Sequence, residues 1–418
     1  MVRFALRCCI PPWLAIVAAL LVGAAASAGA PTVILLSLDG TPARAARTPA
    51  LETLSELARR GAAAERLTPV FPTNTFPNHV TLVTGVSPER HGIVNNVFLD
   101  PKRGPFRKSD DPTWIEAEPL WSIAARHGIM SASYYWVGSE GPWRSGHGPR
   151  YWKRFDASTP DREKVEQILA WLDLEPEQER PCLITAWFPG ADGAGHRFGP
   201  DSPEVRRALE RQDAAIGRLV SGLDARRAFE DTTLLVVSDH GMLEVERRVD
   251  LDAALAAADL PATVWGGGGF ASVTVEGEEA VVDRVVEVAR GLGLEAHSST
   301  RAPAALRIGN PRFGAVVVLA PPGVALVNSR GVRGSLRGAH GYWPDEPRMG
   351  GLFVAAGRGV RAGTKLGEVH SLDVAPTVLA LLGVPTPVWM EGRPLEAFQG
   401  PGSASKGSEA AAAGGGIR

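Results

Sequence analysis

The chain is poor in cysteine. Two of its three, Cys8 and Cys9, fall in the first ten residues, and Cys182 stands alone. A lone cysteine cannot close an internal disulfide, and a metal site of thiolates is impossible. Cys182 abuts the apolar run from Leu183 to Phe188 and reads as a small buried hydrophobe on a strand. An excess of charge of one sign is also missing: the formal net charge is -2 over 418 residues. That argues against a basic nucleic-acid-binding surface and an acidic solvating tail, so no nucleic-acid polymer is expected as a partner. No internal repeat is visible.

At the N-terminus, Trp13 to Val22 is apolar but too short to span a bilayer. Arg3 and Arg7 precede it and Ala26-Ser27-Ala28 follows it. A positive start, a short apolar run and small residues at a cleavage site spell a secretory signal over residues 1–28. Cys8 and Cys9 lie before the apolar run, which is not a lipoprotein pattern. The expectation is an exported, periplasmic or secreted protein with no stable membrane anchor after cleavage. After Phe398 the chain is rich in Gly, Ser and Ala and is expected to be disordered over 399–418.

Between these ends, apolar strand-like runs alternate with segments of helical spacing. Strands are expected at Pro31–Leu38, Gly128–Tyr135, Leu183–Phe188, Thr232–Ser238 and Gly351–Ala356. Helices are expected at Thr48–Gly61, from about Pro77 to Gly85, and at Leu120–His127, Arg162–Leu172, Pro203–Leu223 and Val374–Leu382. Such alternation predicts an α/β fold with a mostly parallel sheet covered on both faces. From about 243 to 332 the texture changes to four consecutive glycines, short alternating segments and one helix, Val281–Leu292. This stretch is expected to be a small α+β insertion within a catalytic domain of residues 29–398.

Four separated segments carry the chemistry: Leu38-Asp39-Gly40, Asp192-Gly193-Ala194-Gly195-His196, Asp239-His240-Gly241 and His340-Gly341-Tyr342. Taken singly, each has an ordinary structural reading. An Asp before Gly forms turns, an Asp-x-x-x-His pair sits one helical turn apart, and a Thr before a helix caps it. Taken together they form a donor set of carboxylates and imidazoles, and Asp39, Asp192 and Asp239 each follow an apolar strand. Ligands in open α/β sheets bind beyond such strand ends. The set divides into Asp192, His196 and His340 for one Zn2+ ion and Asp39, Asp239 and His240 for a second, with the Thr75 oxygen as fourth ligand of the latter. Donors of this kind also hold manganese or iron. Two ions can clamp the attacking and leaving oxygens of an in-line displacement at phosphorus, and a bound Thr hydroxyl becomes a usable nucleophile. Thr75 lies in Pro72-Thr73-Asn74-Thr75-Phe76-Pro77-Asn78-His79, where Pro77 suits a first helical turn. A helix start there favours a phosphate. The Phe76 N–H and the Asn96 amide are the expected oxyanion donors. The remaining histidines read as structural or surface residues, with His79 and His91 nearest the site segments.

On these segments, with Thr84-Gly85 and Glu89-Arg90-His91-Gly92-Ile93, the chain resembles the nucleotide pyrophosphatase/phosphodiesterase family of the alkaline phosphatase superfamily. The resemblance covers about Val33 to Leu395. It implies an alkaline-phosphatase-like three-layer α/β/α sandwich and hydrolysis of phosphodiesters and nucleotide pyrophosphates through a phospho-threonine on Thr75. It implies that Asn96 contacts the phosphate, and that the six metal ligands are those chosen above on chemical grounds. It further implies a base held between aromatics, with Phe76 at one position and Phe155, ahead of Tyr151, at the other. Some relatives cleave phospholipid or choline head groups instead, and Asn74 and Pro189-Gly190-Ala191 depart from the family pattern in ways that bear on substrate choice. A sulfatase would need Cys or Ser before x-Pro-x-Arg, and a phosphomonoesterase an Arg beside the nucleophile; the chain has neither. A phosphonoacetate-type hydrolase and a non-catalytic phosphoryl-ligand binding protein remain the alternatives.

Overall fold

The computed structural model describes residues 31–327 and 336–398. The signal-like segment 1–28, the tail 399–418 and the last residues of the expected insertion lie outside the described residues. Among the described residues, no helix is long and apolar enough to cross a membrane.

Twelve strands matter for the site. In chain order they are β1 (Thr32–Leu38), β2 (Ala62–Thr68), β3 (Ser131–Tyr134), β4 (Tyr151–Lys153), β5 (Leu183–Phe188), β6 (Thr232–Val237), β7 (Ala262–Gly267), β8 (Phe270–Val275), β9 (Glu295–Ser298), β10 (Val316–Leu319), β11 (Phe353–Gly357) and β12 (Thr364–His370). Eight of them form one sheet in the order β12-β2-β11-β6-β1-β5-β3-β4. β11 runs antiparallel to both β2 and β6; the other pairings in this sheet are parallel.

The helices used below are α1 (Glu52–Arg60), α2 (Thr75–Thr84), α3 (Leu120–Arg126), α4 (Asp161–Leu172), α5 (Asp192–Phe198), α6 (Pro203–Ala225), α7 (Glu279–Gly291) and α8 (Val374–Leu381). β1 shows why both sheet faces must be covered. Its alternate residues Ile34, Leu36 and Leu38 enter a core with Leu54 and Leu57 of α1, Ile168 of α4 and Ile216 of α6. Val33 and Leu35 enter the opposite core with Leu82 of α2, Ile123 of α3 and Val378 of α8. A strand buried on both sides reads as a continuous apolar run, which is what TVILLSL is. The result is a three-layer α/β/α sandwich.

Local chemistry sets the element ends. α6 starts where Ser202 accepts from the Val205 amide at 3.3 Å and Pro203 fills the first helical position. α1 is shorter than its apolar spacing suggests: Thr48 to Leu51 form a turn, and the helix starts at Glu52. The expected strand before Tyr135 narrows to Ser131–Tyr134 because Gly128 closes α3 in a left-handed turn.

Within 243–327, strands β7-β8-β10-β9 make an antiparallel sheet of their own. α7 packs on it through Val285, Val286 and Ala289. A separate cluster joins this sheet to the region around α2: Phe270, Val317 and Leu319 meet Val80, Ile93 and Phe98. Arg312, buried, reinforces the seam by donating to Asp100 Oδ2 at 2.6 Å and to the carbonyls of Gly92 and Trp114.

Candidate active site

The register of the three central strands places three carboxylates at one edge. Leu38 is level with Phe188 of β5, and Ser37 with Val237 of β6. Asp39 follows at once, Asp239 two residues past β6, and Asp192 after a short turn. Two glycines allow the close approach. Gly40 has φ +62°, and a Cβ there would lie 2.9 Å from Asp192 Cα. Gly190 has φ +52°, and a Cβ there would lie 2.0 Å from the Asp39 carbonyl oxygen. Larger residues would push the two strand ends apart.

Asp192 opens α5, and one turn later His196 lies with Nε2 at 3.3 Å from Asp192 Oδ1. His340 Nε2 is 3.6 Å from the same oxygen. His240 Nε2 lies 3.1 Å from Asp239 Oδ2 and 3.7 Å from Asp39 Oδ1. The His240 and His340 rings stack with centroids 3.8 Å apart. Two sets of donor atoms therefore gather within 4.8 Å: Asp39, Asp239 and His240, and Asp192, His240 and His340. Stacking makes His240 a neighbour of both sets, while His196 borders the second set through Asp192.

The three imidazoles share one second partner type. Nδ1 of His196 faces the Gly338 carbonyl at 2.8 Å, that of His240 the Gly241 carbonyl at 2.9 Å, and that of His340 the Thr73 carbonyl at 3.1 Å. A carbonyl can only accept, so each Nδ1 carries the proton. Each Nε2 then offers its lone pair to the site, the arrangement that orients imidazole ligands.

The carboxylates test whether ions belong here. Asp39 Oδ1, Asp192 Oδ1 and Asp239 Oδ2 are buried without a hydrogen-bond donor. Buried carboxylate oxygens without donors are costly unless a cation satisfies them. Burial, then the neighbouring charges of Asp239 and Asp192, push the Asp39 carboxyl well above its ordinary range. Burial opposes ionisation of Asp239 and Asp192 as well. Against it, His240 and His79 hold Asp239 down at about 2, and His196, His340 and His240 hold Asp192 far below the usual range. Burial and the two neighbouring rings push His340 well below an ordinary imidazole, which keeps it neutral. A neutral His340 and carboxylate oxygens without donors fit divalent cations. His196 differs, because its burial is outweighed by the Asp192 carboxylate, which raises that imidazole above its ordinary range.

Thr75 is the first residue of α2 and Asn74 its N-cap. The Thr75 hydroxyl lies 3.2 Å from His240 Nε2. The loop before it is fixed by Asn78, fully buried, whose Nδ2 donates to the carbonyls of Pro72 and Asn74, both at 3.0 Å. The Thr73 hydroxyl ties the loop to the His340 segment, donating to the Tyr342 carbonyl and accepting from the Gly341 amide, both at 2.9 Å. The Phe76 N–H, expected as an oxyanion donor, donates to Asn96 Oδ1 at 2.8 Å. Asn96 thus satisfies the helix start with its oxygen and keeps its NH2 group for another partner.

A cleft of about 720 Å³ opens over Thr75, Phe76 and Asp192, with Tyr135, Phe155 and Trp187 along its wall. Phe155 is half exposed and packs on Tyr135 at 5.3 Å and on Trp187 at 5.6 Å. Tyr151 lies elsewhere, its hydroxyl bonded to Glu179. Sequence reasoning missed Tyr135 and Trp187. Tyr135 takes φ +67°, a left-handed conformation costing about 1–2 kcal/mol for an L residue. Trp187 sits within an apolar run and reads as core, yet its indole N–H donates to Asp39 Oδ2 at 2.9 Å. The need of a buried indole for an acceptor was the available signal.

The type I phosphodiesterase / nucleotide pyrophosphatase profile matches residues 33–343. The chain belongs to this family. An uncharacterized pyrophosphatase/phosphodiesterase of Schizosaccharomyces pombe is 34% identical over 380 residues, which cover 85% of this chain and 77% of that protein. Human ectonucleotide pyrophosphatase/phosphodiesterase family member 1 is 37% identical over 219 residues, 51% of this chain but 24% of that longer protein. Murine ectonucleotide pyrophosphatase/phosphodiesterase 5 superposes with a TM-score of 0.79 at 26% identity, covering 85% of this chain and 96% of that one. The same murine protein has been solved as an inactive threonine-to-alanine variant in complex with AMP. The sandwich described above is therefore the alkaline-phosphatase-like fold.

Proposed function

We propose that the chain is an exported two-zinc phosphodiesterase and nucleotide pyrophosphatase acting on small nucleotide esters or anhydrides through a phospho-threonine at Thr75. The observation that carries this reading is the Thr75 hydroxyl beside His240, lining an aromatic-walled cleft next to two clustered sets of carboxylate and imidazole donors. Asp39, Asp239 and His240 would hold one ion with the Thr75 oxygen, and Asp192, His196 and His340 the other. Bound ions supply the positive charge that acidifies the Thr75 hydroxyl and steadies the leaving oxygen.

The residues of the chain do the rest. The Thr75 hydroxyl loses its proton to solvent, and Oγ1 bonds to phosphorus as the opposite P–O bond breaks and its electron pair leaves with the departing oxygen. Water then attacks the same phosphorus, the Thr75 P–O bond breaks, and Oγ1 is reprotonated. The free NH2 of Asn96 donates to a non-bridging oxygen, and the start of α2 adds its dipole. Phe76 and Phe155 hold the base, and the cleft excludes water around it.

The test is steady-state hydrolysis of nitrophenyl thymidine monophosphate beside nitrophenyl phosphate, phosphocholine and sulfate, by the wild-type protein and by Thr75→Ala. The reading requires zinc-dependent preference for the nucleotide diester and its loss in a folded Thr75→Ala protein. Preference for phosphocholine would move the substrate to lipid head groups, and unchanged turnover in Thr75→Ala would remove the nucleophile.

A further inference from the structure

Each of the three site carboxylates keeps one oxygen without a donor: Asp39 Oδ1, Asp192 Oδ1 and Asp239 Oδ2. What the second oxygen bonds to decides which way the first one faces. In Asp239 that partner is backbone, since Oδ1 accepts from the Gly40 amide at 3.1 Å. In Asp39 it is a side chain, since Oδ2 accepts from the Trp187 indole N–H at 2.9 Å. The orientation of Asp39 therefore depends on how the Trp187 ring is held.

Trp187 lies on β5, level with Ser37 of β1, and Phe155 packs on its ring in the cleft. A buried cation is its other neighbour. Lys164, in the first turn of α4, is 2% exposed. Its Nζ lies 5.2 Å from the Trp187 ring centroid, 5.1 Å from that of Phe188 and 5.6 Å from that of Tyr135. Lys164 does not line the cleft, so its ammonium meets no substrate there. Its ion partner is Asp161 Oδ1 at 3.2 Å, and Asp161 Oδ2 accepts from Gln212 Nε2 at 2.6 Å. Burying an ammonium costs free energy, and replacing a buried ion pair by apolar groups is often neutral or stabilising. Fold stability alone gives little reason for a cation at this position. One ammonium facing three rings does restrict those side chains, because the negative ring faces are drawn to it. Two of the three, Tyr135 and Trp187, are the rings on which Phe155 packs.

We propose that Trp187 is a positioning residue for Asp39, turning Oδ1 toward the ion held with Asp239 and His240, and that Lys164 braces the Trp187 ring from α4. This rests on the ion-binding part of the reading above and adds how one ligand is oriented. The indole N–H occupies Oδ2, so Oδ1 is the oxygen left for the ion. Without the N–H the carboxylate is free to rotate, and the ion loses a prearranged ligand.

The test measures zinc affinity by competition with a chromogenic chelator in the wild-type protein, Trp187→Phe, Lys164→Met, Lys164→Arg and Asp39→Asn. Trp187→Phe keeps an aromatic ring and removes the indole N–H. It should weaken, by roughly 10–100-fold, the zinc that Asp39→Asn also weakens, and leave the other zinc as it was. Lys164→Met keeps the length of the side chain and removes the charge. It should weaken the same zinc roughly 2–30-fold, the range of a cation–π contact, and Lys164→Arg should recover part of the loss. The melting temperature of ion-free Lys164→Met should not fall. A raised KM in Trp187→Phe with both zinc affinities intact would make Trp187 cleft wall alone and overturn the inference. A lower melting temperature in Lys164→Met with zinc affinity unchanged would overturn the brace, leaving Lys164 as the partner of Asp161 only. Zinc taken up by a wild-type protein that cleaves no phosphodiester would sink the functional reading, and the zinc comparison would still decide the role of Trp187. A wild-type protein that binds no zinc would end both.

Discussion

The His79 imidazole holds the backbone of the nucleophile: its Nδ1 donates to the Thr75 carbonyl at 2.8 Å, while Nε2 faces the Ser37 hydroxyl at 2.8 Å. The same Nδ1 is 3.3 Å from Asp239 Oδ2, so one fully buried ring touches both the first turn of α2 and a carboxylate of the site.

His79→Ala should therefore lower kcat by about 10–100-fold with KM little changed, as expected when a supporting partner of a site is removed. His79→Asn, whose amide nitrogen can take the Nδ1 position, should recover part of the loss. A KM effect alone, or no recovery in the Asn variant with similar melting temperatures, would contradict a positioning role.

Phe155→Ala should raise KM for nucleotide substrates about tenfold and leave kcat within a small factor, because base stacking on an aromatic ring is worth about 1–3 kcal/mol. The ring is half exposed in the absence of substrate, so its removal should leave the melting temperature unchanged. Initial-rate measurements across substrate concentration separate the two parameters.

Removing divalent ions should abolish turnover and lower the melting temperature. The three orphaned carboxylate oxygens of Asp39, Asp192 and Asp239 lose their counter-charge when ions leave. An ion at a hundred times its dissociation constant stabilises the fold by about 2.7 kcal/mol per site. Calorimetric scans with chelator, and after addition of zinc, check both the loss and its reversal.

The pH dependence of stability should carry a signature of His91. Its Nδ1 accepts from the Ile93 amide at 3.1 Å and its Nε2 faces the Thr81 hydroxyl at 3.1 Å. Burial pushes its pKa down to about 3. An unfolded histidine titrates near ~6.5, so below that pH the unfolded chain binds a proton that the folded chain refuses. The stability His91 contributes is present above about pH 6.5 and is lost as pH falls toward 3, at up to about 1.4 kcal/mol per pH unit. Urea unfolding of the wild-type protein and of His91→Gln between these limits should show the slope and its loss.

Much of this architecture was legible because the central strands announce themselves. Runs such as Leu183–Phe188 and Thr232–Val237 are buried on both faces and cannot be taken for anything polar. The strands at the β12 end of the sheet were not legible: the edge strand β12 reads TKLGEVH and is largely exposed, and β2, beside it, reads AAAERLT, and neither carries a strong apolar pattern. β7, reading ATVWGG, was hidden by its two terminal glycines, which carry no side chain to mark a strand. At the site, Asp39, Asp239 and His240 could be read from their place after apolar strands. The partners Trp187, Tyr135 and His79 could not, because what they touch depends on register between strands far apart in sequence.

His340 reaches back to Thr73 across 267 positions, and between them the chain has crossed the sheet and built a second, antiparallel one. No fragment ending before His340 can own a complete site, and none beginning after Asp39 can either. A truncation between these limits is therefore expected to remove the proposed activity outright rather than to weaken it.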